Sequence, residues 1–299
     1  MKSKLVWTAL GALALPLALT FVLACGGGST NDKSPTAASG GATSSGSIPE
    51  KKITAKDYSY DFPDTVEAGL VKLTLTNSGK EPHQAQLARL NDGVTPQQFQ
   101  AGLQSPDPSG LLKIVTLMGG PNTIDPGASQ SVVDTLPPGQ YAMLCFVSGD
   151  DGVPHLAKGM VKLFTVSQAS AAKQPEPPPA KEKVTLADYN FLGADSLPAG
   201  KTTVEVTNGG PQSHELTVIR LKNGVTIDQL KTLLLSDTAP PGPPPIDDVG
   251  GIGALSVGNK GWAELDLSAG SYAFLCFVPD AKTGQPHAAL GMIKAISVR

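Results

Sequence analysis

Residues 272–292 of this chain, YAFLCFVPDAKTGQPHAALGM, bring together Cys276, His287 and Met292. A near copy at 141–160, YAMLCFVSGDDGVPHLAKGM, supplies Cys145, His155 and Met160. Thiolate, imidazole and thioether are ligands for soft or borderline metal ions, and such a set is completed by a second imidazole. The chain has four histidines, and the remaining two, His83 and His214, lie far upstream of each cysteine. Each stretch thus offers His, a long gap, then Cys, His and Met.

The spacing is that of a duplication. Asp57-Tyr58 and Asp188-Tyr189, Thr76-Asn77 and Thr207-Asn208, Gly119-Gly120 and Gly250-Gly251, His83 and His214, Cys145 and Cys276 all differ by 131 positions. The offset becomes 132 at His155/His287 and Met160/Met292, which places a one-residue insertion between Cys and His. Two domains are expected, 51–167 and 183–299, with nine Lys/Arg and eleven Asp/Glu in each. Between them, 168–182 is a Pro-rich linker, stiff and extended.

Residues far apart in sequence meet on one ion if they sit at neighbouring strand ends. Strand-like alternation is present at 71–76 and 203–207, each run stopped by Asn and Gly. Further strands are expected at 87–90 and 216–221, then through the Tyr-to-Cys segments, and finally at 160–166 and 292–298. One short helix is expected per half, because Thr95 with Gln98 and Thr226 with Gln229 both have capping-box spacing ahead of apolar residues. A Pro-rich excursion at 238–245 is expected to cross the surface. Many short strands with Gly and Pro turns predict an all-β class of antiparallel sandwiches.

Taken singly, the candidate residues have plainer uses: a Cys in an apolar strand is a small buried hydrophobe, and Met fills cores. The repetition of the whole set, with no His outside it, argues for a metal site in each half. Structural zinc normally takes four strong ligands, and Met is not one. Asp150, Asp151 and Asp280, in the Cys-to-His loops, read as solvated turn residues. There is no Ser-His-Asp, paired-carboxylate or phosphate-loop arrangement, and Gly26-Gly27-Gly28 does not follow a strand.

The motifs Gly-x-Tyr-x-x-x-Cys and His-x4-Met, with Gly just before the Met, recur as Gly139, Tyr141, Cys145, His155, Gly159, Met160 and as Gly270, Tyr272, Cys276, His287, Gly291, Met292. In these the chain resembles the cupredoxins, the blue copper proteins. The resemblance implies two tandem Greek-key β-sandwiches, up to two type 1 copper ions, and copper ligands His83, Cys145, His155, Met160 and His214, Cys276, His287, Met292. It implies an electron carrier; a copper-buffering protein without a redox partner and a metal-free interaction module are the alternatives. Nine and ten residues separate Cys from His, a long loop like that of the type 1 centre of copper nitrite reductases. Gln84 and Glu215 follow the first His, where the family often has an Asn that ties two ligand loops. Multicopper oxidase or nitrite reductase activity is not expected, since four assigned histidines leave none for a catalytic cluster.

The N-terminus bears on compartment. Lys2 and Lys4 precede an apolar run at 5–23, and Val22-Leu23-Ala24-Cys25 resembles the lipobox of bacterial lipoproteins. This implies a signal peptide at 1–25, a lipidated Cys25 in the bilayer, and extracytoplasmic domains anchored to a bacterial cell membrane. A single spanning anchor with Cys25 as an ordinary residue is the other reading. Residues 26–50, rich in Gly, Ser and Thr, cannot bury enough surface to fold and form a disordered tether. With charged residues at 16% and a net charge of -3, there is no basic field to attract nucleic acid. The redox partner is not specified by the sequence.

Overall fold

The computed structural model describes residues 47–105, 109–170, 175–222, 224–235 and 245–299. Cys25 and most of the tether lie outside these residues, as does nearly all of the 238–245 excursion. Among the described residues, no helix is long and apolar enough to cross a membrane.

The first half contains β1 (Glu50–Lys56), β2 (Ser59–Asp61), β3 (Thr65–Glu67), β4 (Gly69–Asn77), β5 (Gln86–Leu90), β6 (Val115–Leu117), β7 (Ser129–Leu136), β8 (Gly139–Leu144) and β9 (Val161–Ser167). The second repeats the plan with β10 (Glu182–Ala187), β11 (Asn190–Gly193), β12 (Ser196–Leu197), β13 (Gly200–Asn208), β14 (His214–Leu221), β15 (Ile246–Leu255), β16 (Lys260–Leu267), β17 (Gly270–Leu275) and β18 (Ile293–Val298). Alternation explains which face is buried: in β4, Leu73, Leu75 and Asn77 point inward while Lys72, Thr74 and Thr76 do not. Val204, Val206 and Asn208 do the same in β13.

Both expected helices form, α1 (Pro96–Leu103) and α3 (Ile227–Leu235), and both capping boxes close. The Thr95 and Thr226 hydroxyls accept from the amides of Gln98 and Gln229, and the glutamine side chains accept from the threonine amides. The first half departs from the one-helix expectation with a second short helix, α2 (Ser109–Lys113), where Leu111 is buried against the core. The sheets are also mixed: β1 with β4, β10 with β13, β3 with β9 and β12 with β18 pair in parallel.

The two sandwiches share a sheet. Each has its own five-stranded layer, in the orders β3-β9-β8-β5-β6 and β12-β18-β17-β14-β15. The other layers fuse into one eight-stranded sheet, β11-β10-β13-β16-β7-β4-β1-β2. At the seam β16 and β7 run antiparallel, with Ala263 opposite Val132, which are equivalent positions of the repeat. Pro121 is likewise bridged to its own counterpart Ile252, while Met118–Leu255 and Ile124–Val249 exchange under the repeat. The two halves therefore meet about an internal two-fold axis, as in an isologous dimer. Leu70, Val133 and Trp262 form an apolar cluster at the seam, closing two sheet edges that would otherwise be open.

Candidate metal centres

Each cluster lies where loops join the ends of the five-stranded layer. β8 runs directly into Cys145 and β17 into Cys276. His214 is the first residue of β14, and His83 precedes β5 and is bridged to Ile124. The long Cys-to-His loops are small hairpins. Ser148 is bridged to Pro154 and Pro279 to Pro286, so the inserted residue of the second copy is absorbed at the hairpin tip. The hairpin returns the chain to the cysteine strand: the His155 amide donates to Val147 O at 2.8 Å, and the His287 amide to Val278 O at 3.0 Å.

In the first half, His83 Nδ1 and His155 Nδ1 are 3.1 Å apart, and Cys145 Sγ lies 3.9 and 3.4 Å from them. In the second, Cys276 Sγ lies 3.8 Å from His214 Nδ1 and 3.4 Å from His287 Nδ1. All six side chains are fully buried. Ligands at bond lengths of about 2.0–2.3 Å around one ion are separated by roughly 3.3–3.8 Å when trigonal, so both triplets fit a single metal. Met160 and Met292 are also fully buried, and the amide of each donates at 2.9 Å to the carbonyl of the preceding ligand His.

Acidic residues fix the imidazoles from outside. His83 Nε2 donates to Asp57 Oδ1 at 3.1 Å, and His214 Nε2 to Asp188 Oδ1 at 2.8 Å. The Nε2 proton leaves Nδ1 with its lone pair directed at the cysteine, the tautomer that a metal requires. Only a glycine fits above each of these rings: a Cβ on Gly79 or Gly210 would lie 2.6 or 2.9 Å from the Nε2 beneath it. Asn77 and Asn208 hold these glycine turns, accepting from the Gly79 and Gly210 amides and donating to Glu81 O and Gln212 O.

The outer histidines differ. Glu81 Oε2 lies 2.8 Å from His155 Nε2, outside hydrogen-bonding alignment. Gln212 stands at the equivalent position of the second half and donates instead to Asp188 and Asp280. His287 Nε2 is buried with no hydrogen-bond partner among the described residues. Asp280 is buried rather than solvated: it accepts from the Tyr189 hydroxyl, Gln212 and Thr283, which hold its carboxyl well below the usual range. Asp150 and Asp151 are exposed, as expected of turn residues.

The residues after the inner histidines also diverge. The Tyr60 hydroxyl donates to Gln84 O beside Cys145, while the matching position near Cys276 is Phe191. Glu215 Oε1 accepts from the Phe277 amide at 2.8 Å, tying the two ligand loops, and the Glu215 amide donates to Cys276 Sγ at 3.5 Å. Asn122 of the first half donates to Glu215 Oε2 across the seam at 3.3 Å. Sequence reasoning missed Asp57, Asp188, Glu81 and Gln212 as site residues, although the repeated Asp-Tyr pair was the signal available.

Burial pushes the Cys145 thiol up to about 12 and the Cys276 thiol well above its ordinary value. Burial also pushes all four imidazoles down, His287 to about 4. At neutral pH the imidazoles of the metal-free centre are therefore neutral and its thiol protonated, so the sulfur carries the one proton that a metal must displace. Metal uptake at pH 7.5 is expected to release one proton per site, with apparent affinity rising about tenfold per pH unit between pH 7 and 8, above the ordinary imidazole range. Proton release in weakly buffered solution measures this, and a slope of two or three would show protonated imidazoles instead.

No known protein family matches the chain, and no curated protein matches it. Several solved structures do. An auracyanin from the photosynthetic bacterium Roseiflexus castenholzii is 22% identical, covering 41% of this chain and 99% of its own, with a TM-score of 0.27. A copper nitrite reductase from Nitrosomonas europaea is 15% identical, covering 85% and 94%, with a TM-score of 0.25. A multicopper oxidase is 17% identical, covering 84% and 89%, also with a TM-score of 0.25. These overlaps are loose, and the assignment rests on the chain's own strands and side chains. The chain's own strands form two tandem β-sandwiches of cupredoxin-like fold, each presenting His, Cys and His at one end of its five-stranded layer.

Proposed function

We propose that each half binds one copper ion through His83, Cys145, His155 and Met160 or through His214, Cys276, His287 and Met292. On this reading the protein is a membrane-tethered, extracytoplasmic carrier of one electron per site. The observation that carries it is the convergence of two Nδ1 atoms and one Sγ, found independently in both halves. Type 1 copper would supply reversible one-electron transfer from a thiolate-imidazole centre. The protein's own part is rigidity: Asp57 and Asp188 lock the inner rings, Glu215 ties the Cys276 loop to its histidine strand, and burial keeps water out. Lys2, Lys4, the apolar run and Cys25 support the tether. All four histidines stand in the two clusters, leaving no imidazole for a further catalytic metal, so we assign no enzymatic activity.

A second reading is copper buffering without a redox partner. The full burial of every imidazole favours it, since no ligand edge meets solvent directly. Reversible cycling separates the two. The copper-loaded protein is expected to bleach with ascorbate and recover its colour with ferricyanide over repeated cycles, at two electrons per chain. Loss of copper on each reduction would favour buffering.

A further inference from the structure

Among the described residues, only Tyr58 and Tyr189 are non-glycine residues at positive φ, 65° and 60°. They are equivalent positions of the repeat. Each is the second residue of a two-residue hairpin turn, between β1 and β2 (Lys56 opposite Ser59) and between β10 and β11 (Ala187 opposite Asn190). Positive φ in such a turn favours Gly or Asn, and a bulky aromatic there is strained. Strain present at the same place in both copies points to a use for the side chain.

That use is visible in the contacts. The Tyr58 ring meets His155 edge-on, with centroids 5.2 Å apart, and the Tyr189 ring meets His287 at 5.6 Å. The Tyr58 hydroxyl donates to Glu81 and the Tyr189 hydroxyl to Asp280, so each ring is pinned by a carboxylate. In both turns the preceding aspartate holds the inner histidine. One strained dipeptide thus serves both imidazoles of a centre. The first cover is tighter: Lys158 lies 4.6 Å over the Tyr58 ring and donates to its hydroxyl, whereas Leu290 takes that place in the second half and Tyr189 is 38% exposed.

We propose that Tyr58 and Tyr189 are gates, each closing the solvent side of the outer imidazole and setting the rate at which reagents and metal reach the cysteine behind it. The metal part rests on the copper reading; the gating of the thiol does not. The test uses the full-length, metal-free protein and a small alkylating reagent, with Cys145 and Cys276 followed separately by peptide mass spectrometry. Tyr58→Gly is expected to speed modification of Cys145 at least tenfold and leave Cys276 at the wild-type rate; Tyr189→Gly is expected to do the reverse. Glycine relieves the turn but gives up the ring's packing and hydrogen bonds, so both variants are expected to melt somewhat below the wild-type temperature, with the unchanged rate at the other cysteine showing that the fold persists. Tyr58→Phe and Tyr189→Phe keep the ring and are expected to retain most of the protection. In copper-loaded protein, each Gly variant is expected to lose one of two ions to EDTA about tenfold faster, the scale of effect that residues behind metal ligands commonly have. Unchanged modification of the gated cysteine, or equal acceleration of both, would overturn the proposal. Gated thiols in a protein that takes up no copper would leave the gate standing and remove the copper reading.

Discussion

Gly251→Ala and Gly120→Ala are expected to be the most damaging single substitutions to the fold. A Cβ at Gly251 would stand 1.9 Å from Leu216 O, and one at Gly120 would stand 2.1 Å from Ala85 O, both backbone atoms that cannot swing aside. Both glycines also have positive φ, 129° and 93°. The conformational penalty of about 1–2 kcal/mol adds to about 1–3 kcal/mol of overpacking, giving a loss of roughly 3 kcal/mol or more. For a chain of this size that lowers the melting temperature by about 6–12 °C. The comparison is Gly258→Ala, where φ is positive but no atom of the described residues lies within 4 Å, so only the conformational penalty applies. Circular dichroism melts of the three variants decide the matter. A Gly251→Ala protein that melts with Gly258→Ala would contradict the packing of β14 against β15.

The largest expected functional effect is that of Cys145→Ser or Cys276→Ser. Each is expected to remove one of two copper ions from the coloured state, because a serine hydroxyl in a dry pocket does not ionise to a soft anionic ligand. Half the visible absorption should persist in each variant and none in the double variant. The fold should survive, since the change is nearly isosteric at the end of a strand. The remaining halves should also differ from each other: Tyr60 and Gln84 lie beside the first centre, while Phe191 and Glu215 lie at the corresponding places of the second.

The ligand types were legible in the sequence because a metal centre needs particular atoms, and the duplication isolated His83, Cys145 and His155 from their surroundings by repeating them. The sandwich class followed from alternation in β4 and β13. The shared sheet was not legible, because the pairing of β7 with β16 depends on Val133 and Trp262 burying against each other, and neither carries a spacing rule. Asp280 was misread for a related reason: acidic turn residues usually face water, and only Tyr189, Gln212 and Thr283, distant or ordinary in sequence, bury this one. The Gly119-Gly120 and Gly250-Gly251 pairs stood out as repeats, but their role became evident only from the carbonyls pressed against them. No Cys145–Cys276 bridge forms; both thiols are free and occupy equivalent places in separate centres.

The most direct test of the two-centre reading is a titration of the purified full-length protein with Cu(II), followed by visible absorption. An intense thiolate-to-copper band is predicted to grow until two equivalents have bound and then stop. A folded protein that stays colourless and retains no copper after gel filtration would contradict it.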